Sequence, residues 1–309
     1  MARLIIEEAP PKVVVSEQKQ PMSGRPLDRE EYIEQVYCFR TFRERLDDNT
    51  PAQEILRSLS EELLATTNLP KAIDFLRGEI LHAGRLSPGM ARLSHYFTPF
   101  QTYVMARAEE ERSQFDQKTA LLALERQAEY LAGSPSPAGL FIYQFETIAR
   151  NRLGYDRGMK AISDDPFFDK TWCDWILKAR LKLGTTDFGQ LIYYRSEQYL
   201  AEKRKRVPGY KPSYPILFSV QEGRIAKANR GKDPLYMFAA LQRQIGHPAA
   251  PRRRAKETGP IIHPALEQRL QRIETRLKIL DSEVKGEFNL SDYYVKPETL
   301  AGPGETGAP

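Results

Sequence analysis

Helix-opening signals recur along this chain and leave little room for a sheet. Thr98-Pro99-Phe100-Gln101 places a hydroxyl residue before a proline, with a glutamine three positions after the hydroxyl. A hydroxyl N-cap accepts the amide of the third helical residue. Proline suits the first helical position, and glutamine at the third returns a bond to the cap. Thr50-Pro51-Ala52-Gln53 has the same arrangement, and Asp28…Glu31, Ser136-Pro137, Asp165-Pro166 and Asp233-Pro234 are weaker versions of it. Stops are expected at Gly84, Gly133, Gly154 and Gly184, each just after an apolar run.

Between these marks the apolar spacing is helical. Ile55, Leu56, Leu59, Leu63 and Leu64 fall on one face, as do Trp172, Trp175, Ile176, Ala179 and Leu183. Helices are predicted near 28–47, 51–67, 70–83, 87–97, 99–131, 138–153, 166–183 and 186–206. The fold class is all-α, an irregular antiparallel bundle or array joined by short loops. The two Thr-Pro-x-Gln starts do not extend into a repeat, because the apolar positions after them do not superpose and no third copy follows. A flexible segment is expected over 1–27 and a helical domain over 28–206.

Charge divides the chain further. Residues 1–200 carry 26 basic and 29 acidic side chains, residues 201–260 carry 14 and 4, and residues 261–309 carry 6 and 8. The middle block also thickens in Pro and Gly, as in VPGYKPSYP and HPAAPRRRAKETGP. It reads as a basic linker over 207–262, with room for a short hairpin (a strand at 216–220, a turn at Gly223) and a helix at 234–245. Arg195, Lys203, Arg204, Lys205, Arg206, Tyr210, Lys211, Arg252, Arg253 and Arg254 interleave cations with aromatic rings. Such a set can hold a phosphate backbone while bases stack, or meet an anionic surface. With no recognition helix or zinc finger, nucleic-acid binding through 195–256 would be weakly selective.

Beyond the linker, Leu266, Leu270, Ile273, Leu277, Leu280 and Val284 follow alternating spacings of four and three. This is an a/d seam on an amphipathic, coiled-coil-like helix over 263–286. In a parallel pair, Arg269 meets Glu274 and Arg276 meets Asp281 of the second strand. The alternative is the same helix folded back onto the chain's own bundle. Residues 287–309 read as a disordered tail.

Catalytic signatures are absent: no Gly-x-Gly-x-x-Gly, Gly-x-x-x-x-Gly-Lys-Ser/Thr, Gly-x-Ser-x-Gly or His-Glu-x-x-His occurs. No cofactor is expected. Glu79-x-x-His82 has the spacing used in carboxylate-bridged metal bundles, with His95 and Glu109-Glu110-Glu111 available nearby. A helix-terminal histidine is the simpler reading, so no metal is expected and Glu79 and His82 are only weak candidates. Asp164, Asp165, Asp169 and Asp174 are the densest carboxylates, with Asp165 expected as an N-cap. His247 and His263 precede prolines and are expected to be solvent-exposed. Cys38 and Cys173 suit two buried thiols in a reducing cytoplasm. No run approaches the roughly 20 apolar residues of a membrane helix, and no signal-peptide core opens the chain. These observations point to a non-enzymatic scaffold or adaptor that binds protein partners and self-associates or docks through 263–286. The alternatives are a nucleic-acid-associated protein using 195–256 and a helical metalloenzyme around Glu79 and His82.

Overall fold

The computed structural model describes residues 26–111, 113–252, 269, 270, 272–277 and 280. Contacts divide the chain into two units, Met1–Arg254 and Ala255–Pro309. The expected N-terminal segment up to residue 25, the linker residues 253–262 and the tail over 287–309 lie outside the described residues.

The first unit is all-α. Its helices are α1 (Arg29–Asp47), α2 (Ala52–Glu62), α3 (Leu69–Ala83), α4 (Ser87–Arg92), α5 (Pro99–Ala108), α6 (Gln117–Ala132) and α7 (Pro137–Asn151). They continue as α8 (Tyr155–Ser163), α9 (Lys170–Lys182), α10 (Phe188–Tyr193), α11 (Glu197–Arg206), α12 (Val220–Ala228) and α13 (Pro234–Ile245). Among the described residues no strand forms, and only two isolated bridges occur, Leu183–Thr186 and Ser196–Phe218.

The expected cap at Thr98 is present in full. Its side chain accepts the Gln101 amide, and the Gln101 side chain accepts the Thr98 amide. The matching tetrad at Thr50 behaves differently. Asn49 turns the chain through φ 60°, the Thr50 amide bonds back to the Arg45 carbonyl, and α2 starts one residue later from Pro51 without a side-chain cap. Helix α2 also ends at Glu62 rather than near 67, and α4 at Arg92 rather than 97.

The helix expected over 99–131 is two helices. Glu109 is the C-cap of α5, its amide still bonded to the Met105 carbonyl, and its carboxylate accepts the amides of Leu86 and Ser87 at 2.5 and 3.0 Å, closing the start of α4. Asp116 then caps α6 by accepting the Thr119 amide. The helix expected over 186–206 breaks likewise, where Ser196 caps α11 and bridges to Phe218. Helix α8 falls in a stretch expected to be loop. Gly154, expected as a stop, opens it at φ 99°, while Arg152 takes the left-handed position that ends α7.

The hairpin expected around 216–223 does not form; residues 220–228 hold α12 instead, and the helix expected at 234–245 is present as α13. Ser219 and Glu222 form a complete capping box at the start of α12. Gly223 lies inside that helix rather than in a turn, and a Cβ there would stand 2.6 Å from the Ser196 Cβ. Helix α13 spans the expected residues and ends on Gly246 in the left-handed conformation.

The core explains why these helices belong to the unit. Helix α7 is buried nearly all round, which only an internal helix can be. Phe141 packs on Trp175 at 4.9 Å between ring centroids, and Phe145 stacks on Phe188 at 3.9 Å. Phe218 sits 5.3 Å from Trp172 and 5.2 Å from Trp175, and Phe238 lies 5.9 Å from both Phe145 and Phe188. Rings from beyond residue 207 thus complete a cluster begun by α7, α9 and α10. At the other end α1 lies along α6, where Arg40 and Arg43 meet the buried Glu125 carboxylate at 2.7 and 3.2 Å. A buried charge without such partners would cost several kcal/mol, on the order of the penalties known for isolated ions.

Candidate interaction surfaces

Two surfaces were legible in the sequence, a basic-aromatic face and an apolar seam. The first is built from α10 to α12. Arg195 lies 4.5 Å over the Tyr214 ring and donates to the Pro215 carbonyl at 3.3 Å. Burial lowers its pKa from the ordinary arginine value. Lys203 lies 5.7 Å over Tyr199, and Arg204 donates to the Tyr210 carbonyl. Tyr193 carries Arg230 at 4.7 Å and Lys227 at 5.7 Å. The rings of Tyr193, Tyr194 and Tyr199 pack together at 5.1 to 5.8 Å.

Glu202 organises this face, and it is the residue that charge counting passes over. Its carboxylate takes Lys227 at 2.7 Å, the Tyr193 hydroxyl at 2.7 Å and the Gln198 amide at 2.7 Å. The bond from Lys227, with those from Gln198 and Tyr193, draws its pKa down to about 2. The local signal was its place one helical turn after Gln198 on α11. The aromatic rings are therefore largely engaged by cations of the same chain. Lys205, Arg206, Lys211 and Arg252 remain exposed and make no ion pair among the described residues. Arg253 and Arg254 lie outside those residues.

The second surface is in the other unit. Residues 269, 270, 272–277 and 280 are helical, and every one of them is exposed. Leu270, Ile273, Leu277 and Leu280 keep 46, 53, 58 and 54% of their surface open. Arg269, Glu274 and Arg276 flank them, while Leu266, Val284 and Asp281 lie outside the described residues.

The expected carboxylate and histidine groupings separate. Glu79 pairs with Arg92 at 2.6 Å, His82 and His95 are exposed, and Glu109 is spent on α4. Among the described residues no three His, Cys, Asp or Glu side chains stand close enough to hold a metal ion. Asp164 pairs with Lys160, and Asp169 rather than Asp165 caps α9.

Asp165 is buried, accepting the Gln144 side-chain amide at 2.9 Å and the Phe167 amide at 3.1 Å. Desolvation pushes its pKa up to about 6. His247 also departs from expectation. It is 2% exposed, one ring nitrogen lies 3.0 Å from the Pro248 carbonyl, and burial lowers its pKa. The cause is a strap over 247–252 that lies on the helices: Arg126 bonds the Ala249 carbonyl and Asn151 the Pro251 carbonyl. His263 lies outside the described residues. Cys38 is buried, with its thiol pushed up to about 12 by desolvation, and Cys173 is partly buried; neither forms a disulfide. Among the described residues no helix is long and apolar enough to cross a membrane. The chain matches no protein-family model, no curated protein and no solved structure.

Proposed function

We propose that this protein is a non-enzymatic scaffold or adaptor that self-associates through its C-terminal helix and presents its helical body to protein partners. The observation that supports the reading is the open apolar row Leu270, Ile273, Leu277 and Leu280. Four such side chains, each half open, contribute about 1 kcal/mol or more apiece when a second helix covers them. The charges beside the row suit a parallel second copy, with Arg269 facing Glu274 and Arg276 facing Asp281. Exposed pairs of this kind contribute under about 1 kcal/mol each, so they set register more than affinity. A reducing, cytoplasmic setting is part of the proposal, supported by the free thiols of Cys38 and Cys173.

Sedimentation of the full chain and of Leu277→Glu tests it. The full chain should sediment as a dimer or larger species. The variant should be monomeric with an unchanged far-ultraviolet spectrum. A monomeric full chain at its highest soluble concentration would overturn the proposal.

The exposed, unpaired Lys205, Arg206 and Lys211 favour a second reading, contact with a phosphate backbone. It predicts oligonucleotide binding that falls steeply with salt. Because the neighbouring tyrosines already carry Lys203, Lys227 and Arg230, little base stacking is expected. Absence of binding at low ionic strength removes that reading.

A further inference from the structure

Two cavities of about 500 and 560 Å³ adjoin on the first unit and share Ala149, Tyr155 and Pro234 in their walls. Together they form a trough between the end of α7, the start of α8 and the start of α13. Tyr155 stands between them, 49% exposed, with its ring stacked on Phe145 at 5.7 Å. One half of the trough is walled by Arg150, Arg152 and Arg252, with Leu235 and Phe238 as its apolar side. The other contains Arg180, Thr185, Thr186 and Phe188.

Two backbone features bring the arginines to the rim, the left-handed residue that ends α7 and the strap that crosses it. Arg152 holds φ 53°, a conformation that L-residues adopt at a cost and that glycine would adopt freely. An off-pattern backbone held at a cavity rim invites a functional explanation. Its neighbour Asn151 donates to the Pro251 carbonyl at 3.0 Å, and that bond brings Arg252, a hundred residues away, to the same rim. Arg152 and Arg252 are exposed and make no direct ion pair among the described residues, although the charge of Arg252 is felt by the buried Glu146 carboxylate.

The nearby acids each have at least one partner, although the second Glu146 carboxylate oxygen is buried without a hydrogen bond. Glu146 is held by Arg150 at 2.5 Å, Asp156 lies 3.1 Å from Arg180, and Asp233 accepts the Leu235 amide as the cap of α13. Two exposed guanidiniums free of any direct ion pair among the described residues, beside a half-open aromatic ring, suit a doubly charged anion joined to a planar group. Guanidinium matches phosphate oxygens two at a time, and a flat ring stacks offset on tyrosine. Each half of the trough has the volume of a small-molecule site.

We infer that this trough binds a nucleotide-sized phosphorylated ligand, its phosphates on Arg152 and Arg252 and its ring against Tyr155. The test is calorimetric titration of the full chain, in phosphate-free buffer, with pyrophosphate, adenosine diphosphate, guanosine diphosphate, flavin mononucleotide and a single-stranded oligonucleotide. At least one of the three nucleotides should bind saturably and more tightly than pyrophosphate. Arg152→Gly should weaken that binding about tenfold or more while leaving the melting temperature unchanged or higher, since glycine relaxes the backbone there. Arg252→Gln should weaken it similarly, and Tyr155→Ala should reduce the nucleotide to the affinity of pyrophosphate. The inference is overturned if no nucleotide binds more tightly than about 1 mM. It is equally overturned if Arg152→Gly binds like the parent, or if the oligonucleotide binds and nucleotides fail to displace it.

Discussion

Asp165→Asn isolates the free energy of a buried carboxyl. In the folded chain this group ionises at about 6 because it is desolvated, against 3.8 when exposed. Between those values the folded protein keeps a proton that the unfolded chain has released, so stability falls as pH rises from about 4 to 6 and stays reduced above. The two values translate into about 3 kcal/mol at 1.36 kcal/mol per pKa unit. Asparagine does not titrate, and its amide fits the site. Its oxygen can take the Phe167 amide, and its nitrogen can donate to the Gln144 carbonyl oxygen once the Gln144 amide, which now donates to Asp165, turns over and brings that unpartnered oxygen round. Relative to the parent, Asp165→Asn should therefore gain 2 to 3 kcal/mol, in order of magnitude, between pH 4 and pH 7.5. For a unit of this size the melting-temperature difference should widen by roughly 5–10 °C. His247, whose lowered pKa makes the fold weaken as pH drops below about 6.5, is common to both proteins and cancels in the difference. The assay is thermal unfolding of both chains at the two pH values. A difference that stays flat, or that narrows as pH rises, refutes the reasoning.

Other outcomes follow from local geometry. Thr98→Ala should cost about 1 kcal/mol, because both capping bonds are made there, whereas Thr50→Ala should change urea-unfolding midpoints by less than about half that. Gly223→Ala should destabilise by roughly 1–3 kcal/mol, since the new methyl would meet the buried Ser196 side chain; a neutral result in the same assay would contradict the close approach of α12.

What the sequence conveyed and what it withheld differ by the range of the interactions involved. The all-α class was legible because helix starts and apolar spacing are local, and Thr98 with Gln101 carries its own capping chemistry. The near-identical tetrad at Thr50 failed because the turn before it, at Asn49, decides where α2 begins. The break after Glu109 was hidden because glutamates are good helix formers, and the distant amides of Leu86 and Ser87 that its carboxylate accepts leave no local mark. Helix α8 was passed over because Gly154 read as a stop, whereas it opens the helix; at Gly158 within it a Cβ would stand 2.5 Å from Ile148, so glycine is needed for packing. The proline-bearing stretch after 207 masked its core residues, since the apolar runs that carry the buried Phe218, Met237 and Phe238 are short and set among prolines and cations that read as linker. On the basic face the cations were visible, but Glu202, which holds Lys227 and the Tyr193 hydroxyl, was not. In the trough, Arg152 and Arg252 share no local pattern at all.

The aromatic cluster has a consequence for anyone who would divide this protein. Phe218 and Phe238 form the far wall against which Phe145, Trp172, Trp175 and Phe188 rest. Cutting the polypeptide at 206, where the basic run invites a scalpel, would strip that wall away and bare a sheet-sized expanse of indole and phenyl surface to water. The first place where the chain can be severed without undressing its interior lies past Arg252, so short fragments would report on stickiness of their own making rather than on native partners.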